Sequence, residues 1–109
     1  MSIVIPFEIT VEDLKVKMDN AETIQLIDCR EAKEFAISNI GGTLIPMNTI
    51  PQHLEEFDTE IPLIILCRTG SRSAMVTEFL RRNGYPNAQN LQGGIYAWNE
   101  RIDPSVQKY

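Results

Sequence analysis

The sequence predicts an α/β sandwich: a central, mostly parallel sheet with helices on both faces. Short apolar runs alternate along the chain with stretches of helical period, the order expected of strand–helix–strand units. One run, Ile61-Pro62-Leu63-Ile64-Ile65-Leu66-Cys67, is apolar without alternation, as a strand covered on both faces must be. The length of 109 residues suits one domain, spanning residues 1–109, with enough chain to bury a core without metal or disulfide staples.

The elements follow in order. Thr10 before Val11, Leu14 and Met18 predicts a capped amphipathic helix, with Asp13 facing its positive end. Ile24 to Cys29 reads as a short strand, and Glu31 to Ile37 as a short helix closed by a turn around Gly41-Gly42. Thr43 to Pro46 is a second brief strand, followed by a short helix from Ile50 to Phe57. After the apolar strand, Ser71 to Asn83 reads as a helix with Met75, Val76, Phe79 and Leu80 on one side. Asn83-Gly84 and Pro86 stop it. Asn87 to Leu91 is the last strand and Ile95 to Glu100 a closing helix. In such sheets ligands bind at the carboxyl ends of the strands, where Asp28-Cys29 and Cys67 fall.

Composition narrows the function. With 43% apolar and 23% charged residues the chain reads as a soluble globular protein. A net charge of -5 argues against general binding to nucleic acid or anionic membranes. The start, Met1-Ser2-Ile3-Val4-Ile5-Pro6, lacks signal-peptide character, and no apolar run reaches the roughly 18 residues of a membrane span. Two cysteines are too few for a secreted disulfide scaffold, so the cytoplasm is the expected compartment. One histidine and no C-x-x-C leave no case for a zinc site, and no cofactor is expected.

The chemistry gathers in Cys67-Arg68-Thr69-Gly70-Ser71-Arg72-Ser73, between a buried strand and a helix start. Backbone N–H groups after Cys67 can form a nest around its sulfur, and the helix N-terminus adds partial positive charge. Arg68 and Arg72 add formal charge. All three favour thiolate over thiol. Gly70 suits a left-handed backbone angle, and Ser71 or Ser73 is a candidate helix cap. A cysteine ending an apolar strand is by default a packed core residue; the basic, glycine-containing loop after it argues for a nucleophile.

This loop resembles the C-R-x-G-x-R-S active-site loop of single-domain rhodaneses. Leu26-Ile27-Asp28-Cys29-Arg30-Glu31, Glu34-Phe35, and Gly93-Gly94 with Trp98 fall in the family's order, and the likeness spans about residues 7 to 103. It implies a rhodanese-like three-layer sandwich and a sulfurtransferase. Cys67 would accept a sulfane sulfur as a persulfide and pass it to a thiol, cyanide or a sulfur-carrier protein. The loop from Arg68 through Thr69, Gly70, Ser71 and Arg72 to Ser73 would bind the substrate and the persulfide. The donor would be a small anion such as thiosulfate, or the persulfide of a cysteine desulfurase. Many members have Val at Cys29, and Gly-His-Ile at Ser38-Asn39-Ile40; both departures bear on packing rather than on the loop. The ending Ile102-Asp103-Pro104 with Lys108-Tyr109 resembles rhodanese modules fused to adenylating enzymes, which suggests a protein thiocarboxylate as product.

Other residues have two readings each. Asp28 and Arg30 either orient the loop or form a surface or strand-end ion pair. Arg72 either binds the substrate anion or pairs with an acid such as Asp28 or Glu31; the second is favoured, because backbone amides already suffice for the anion. Cys29 is expected to be a packed thiol rather than a resolving one, His53 a solvated surface residue, and Trp98 a packing residue of the closing helix. Cysteine-dependent phosphatases and arsenate reductases place one residue more between cysteine and arginine than the four here, which makes a larger cavity. A catalytically silent rhodanese-like module commonly lacks the cysteine this chain retains.

Overall fold

The apolar run predicted as a doubly covered strand is the centre of the sheet. In the computed structural model, which describes residues 4–109, Leu63–Leu66 (β4) is buried along its whole length. The first residues of the leading segment read above, 1–3, lie outside the described residues. The other strands are Glu8–Ile9 (β1), Gln25–Asp28 (β2), Thr43–Leu44 (β3) and Ala88–Leu91 (β5). Their order is β1-β5-β4-β2-β3, every neighbouring pair parallel. The helices are Val11–Asp19 (α1), Ala32–Ile37 (α2), Ser71–Arg82 (α3) and Gly94–Arg101 (α4), with a 3-10 helix over Met47–Glu56.

Strand alternation splits the interior into two cores. Leu63 and Ile65 of β4 and Ile27 of β2 pack with Val76 and Leu80 of α3 and Ile50 of the 3-10 helix. Ile64 and Leu66 point the other way, to Val11 and Leu14 of α1 and Ile95, Ala97 and Trp98 of α4. Each face of the sheet therefore has its own layer of helix, the three-layer α/β sandwich that was expected. Burying one such Leu or Ile side chain contributes about 1.5–3 kcal/mol, so the four buried side chains of β4 are a substantial part of the fold's stability.

Four details differ from the sequence reading. The segment expected as a helix from Ile50 to Phe57 is a 3-10 helix that starts at Met47. Pro51 inside it has no N–H to donate and its ring crowds the preceding turn, so tighter i→i+3 bonds replace the α pattern. β1 was not anticipated: two residues carry no periodicity, and only pairing with β5 defines the strand. Met75 is 65% exposed rather than part of the packed side of α3. Finally, neither Ser71 nor Ser73 caps α3; Gly70 holds the N-cap position in the left-handed region with φ 105°, with no side-chain cap. The Thr10 cap of α1 is present, its hydroxyl accepting from the Asp13 N–H at 3.1 Å. Among the described residues no helix is long and apolar enough to cross a membrane.

Candidate active site

The chain leaves β2 toward β3 and leaves β4 toward β5, in opposite directions across the sheet. A crevice opens where such connections diverge, at the carboxyl ends of the strands. Cys67 follows β4 at this point.

The Cys67 loop curls back on the sulfur. The Gly70 N–H donates to Cys67 Sγ at 3.1 Å, the Ser73 N–H at 3.4 Å, and the Ser73 hydroxyl at 3.2 Å. Gly70 has a positive φ of 105°, an angle that costs an L side chain strain even though space for a Cβ exists. Cys67 itself is 1% exposed. The next element anchors the loop from behind. Ile95 and Tyr96, in the first turn of α4, donate their N–H groups to the carbonyls of Cys67 and Arg68, both at 3.0 Å. This close approach explains Gly93-Gly94: a Cβ on Gly94 would stand 2.3 Å from the Cys67 carbonyl oxygen.

The two arginines have different surroundings. Arg72 makes a forked pair with Glu34 of α2, at 2.8 and 2.9 Å. The structural role favoured for Arg72 is the one adopted, but its partner is Glu34 rather than Asp28 or Glu31. This guanidinium holds the Glu34 carboxyl down at about 2, and the carboxylate in turn raises Arg72. Glu34 also closes a capping box with Glu31, so one carboxylate ties the start of α2 to the start of α3. Arg68 is exposed, lies 5.5 Å over the rings of both Tyr96 and Tyr109, and donates to the Tyr96 hydroxyl at 3.1 Å. Thr69 and Ser71 are exposed on the outside of the loop.

Asp28 and Arg30 are a buried pair, both 0% exposed, rather than a surface one. Arg30 bonds Asp28 through its side chain at 2.8 and 2.9 Å and reaches the carbonyls of Ser38 and Tyr109 at 2.7 and 2.6 Å. Those contacts tie β2 to the C-terminal segment. Cys29 is 1% exposed and its thiol is pushed up to about 12, chiefly by burial and then by the neighbouring Cys67 and Asp28. His53 is half-buried and faces Glu56 at 2.8 Å, while Trp98 packs in the α1–α4 core.

Sequence reasoning missed Asn90 and Tyr96 altogether, and it named Glu34 and Tyr109 only as parts of a resemblance, without their contacts to Arg72 and Arg68. Asn90 is 2% exposed on β5 and bonds both the Ser73 hydroxyl and the Gly70 carbonyl. The strand that carries it, Asn87 to Leu91, has polar side chains at 87, 89 and 90, so nothing local singles out Asn90.

Residues 10–101 match the family described as rhodanese-like domain, and the chain belongs to it. A sulfurtransferase of Allochromatium vinosum is 36% identical over 100 residues, covering 91% of this chain and 94% of that protein. A Staphylococcus aureus protein solved as a rhodanese-like domain superposes with TM-score 0.81 at 36% identity, over 95% of this chain and 99% of that one. A Zea mays adenylyltransferase and sulfurtransferase is 30% identical over 109 residues; the match takes in 93% of this chain but 23% of that longer protein. By these likenesses the chain stands among the rhodanese-type sulfurtransferases.

Proposed function

We propose that residues 1–109 act as one rhodanese domain that carries sulfur on Cys67. The thiolate attacks the sulfane sulfur of an anionic donor such as thiosulfate. A bond forms between Cys67 Sγ and that sulfur, the sulfur–sulfonate bond breaks, and sulfite departs with the electron pair. The Cys67 persulfide is then attacked at its terminal sulfur by cyanide or by an acceptor thiol, of a small molecule or of a sulfur-carrier protein, and Cys67 leaves as thiolate. The observation that carries this reading is the convergence of the Gly70 N–H, the Ser73 N–H and the Ser73 hydroxyl on one sulfur. Donors fixed before reaction stabilise negative charge without reorganising, which is what both half-reactions need. The loop from Arg68 to Ser73 binds the donor, Arg68 attracting it at the mouth while Arg72 stays engaged with Glu34.

A cysteine desulfurase persulfide is an alternative donor of the same sulfur. The fused adenylyltransferase and sulfurtransferase relative favours a sulfur-carrier acceptor. Intact mass after incubation with thiosulfate tests the reading: one added sulfur atom is expected, and its removal on adding cyanide or a carrier. No adduct on wild type from thiosulfate or a desulfurase persulfide would overturn it.

A further inference from the structure

The Ser73 hydroxyl has one proton and two acceptors. One is Cys67 Sγ, 3.2 Å away; the other is Asn90 Oδ1. The orientation of Asn90 is set from its other end, because Nδ2 donates to Glu8 Oε2 at 2.9 Å and to the Gly70 carbonyl at 3.3 Å. With both amide protons directed away, Oδ1 is the atom that faces the serine. Ser73 is 0% and Asn90 2% exposed, so water does not substitute for either partner.

We infer that Asn90 is a positioning residue that parks the Ser73 proton whenever the Cys67 sulfur is neutral and releases it to Sγ when that sulfur carries charge. A thiolate is the stronger acceptor, since a hydrogen bond to an ionised group is roughly twice as strong as a neutral one. A thiol sulfur, or the inner sulfur of a persulfide, is a weak acceptor, and the amide oxygen then takes the bond. The serine hydroxyl is thus satisfied in both states, where otherwise the neutral state would leave a buried hydroxyl without a partner. Asn90 therefore favours the states with neutral Sγ, and Ser73 favours the thiolate. The two residues touch each other yet pull the sulfur in opposite directions.

That opposition is the test, because loosening of the loop would not produce it. Asn90→Leu, close to isosteric, removes Oδ1; the Gly70 carbonyl keeps its bond from the Ala74 N–H at 3.1 Å. Alkylation of Cys67 by iodoacetamide at one mildly acidic pH should become about three- to tenfold faster, the equivalent of one lost neutral hydrogen bond. Ser73→Ala should make it slower, and Asn90→Leu should have no further effect in the Ser73→Ala background. At a fixed thiosulfate-to-sulfite ratio, the persulfide fraction of Asn90→Leu should fall by a similar factor. This second readout rests on the proposed sulfur transfer, whereas alkylation does not. A wild type that never loads sulfur would sink that function and leave the switch to be decided by alkylation. The switch is overturned if Asn90→Leu slows alkylation or leaves it unchanged, or if it acts equally with and without Ser73. Asn90→Ala serves for the same measurements if the leucine variant does not fold.

Discussion

Cys67 and Cys29 sit side by side at the ends of neighbouring strands in different hydrogen-bonding surroundings. β2 and β4 pair Asp28 with Leu66, and the Cys29 N–H continues the ladder to the Leu66 carbonyl at 3.0 Å. Both thiols face the same core and both are 1% exposed. Depth therefore does not separate them. Three donors converge on Cys67, whereas burial without such donors pushes the Cys29 thiol up to about 12. A buried sulfur becomes a candidate nucleophile through oriented donors. Desolvation alone produces an inert core thiol.

The largest expected effect is at the proposed nucleophile. Cys67→Ser should abolish sulfur transfer with little change in melting temperature, as activity assay and thermal melt together would show. Substantial residual transfer would move the chemistry elsewhere, with Cys29 the first suspect.

The next effect separates backbone donors from side-chain charge. Gly70→Val puts a β-branched residue at φ 105° and should distort the loop that brings the donors to the sulfur, slowing Cys67 alkylation by an order of magnitude or more. Arg68→Ala should slow it only a few-fold, because this exposed charge is screened by solvent; it should chiefly raise the KM for thiosulfate, an effect that added salt reproduces. If Arg68→Ala slowed alkylation more than Gly70→Val, charge at the mouth would outweigh the nest.

A pH effect follows from Glu34. Its folded value of about 2 lies below the ordinary 4.5, so the native state binds fewer protons than the unfolded chain. The stabilisation is complete above about pH 4.5 and disappears as pH falls toward 2. With Arg72 partly exposed, the loss amounts to about 1–3 kcal/mol. Glu34→Gln keeps the capping geometry without the charge. Its melting temperature should therefore fall less steeply with acid than that of the wild type, and parallel curves would disprove the assignment.

The smallest effect is expected at Cys29. Cys29→Val keeps volume in a packed site and should cost under about 1.5 kcal/mol with transfer unchanged. Lost turnover at unchanged melting temperature would give Cys29 a relay role after all.

β4, the loop after it and the α/β layering are all legible in the amino-acid sequence. Each rests on local chemistry: Leu63-Ile64-Ile65-Leu66 has no polar face to expose, and Cys67 to Ser73 bunches sulfur, glycine and charge within seven residues. The need for glycine at position 70 was legible for the same reason, since a left-handed angle is a property of one residue. Tertiary structure decided the partners. Arg72 meets Glu34 across 38 residues, and Ser73 meets Asn90 across 17. β1 exists only because β5 lies beside it, and Arg68 is held by tyrosines from α4 and the C-terminal segment. Pairing across such distances depends on which strand ends the sheet brings together, and a side chain's own periodicity carries no record of that. Local sequence thus specified where charge on sulfur would be stabilised; the folded sheet chose which residues hold the donors in place.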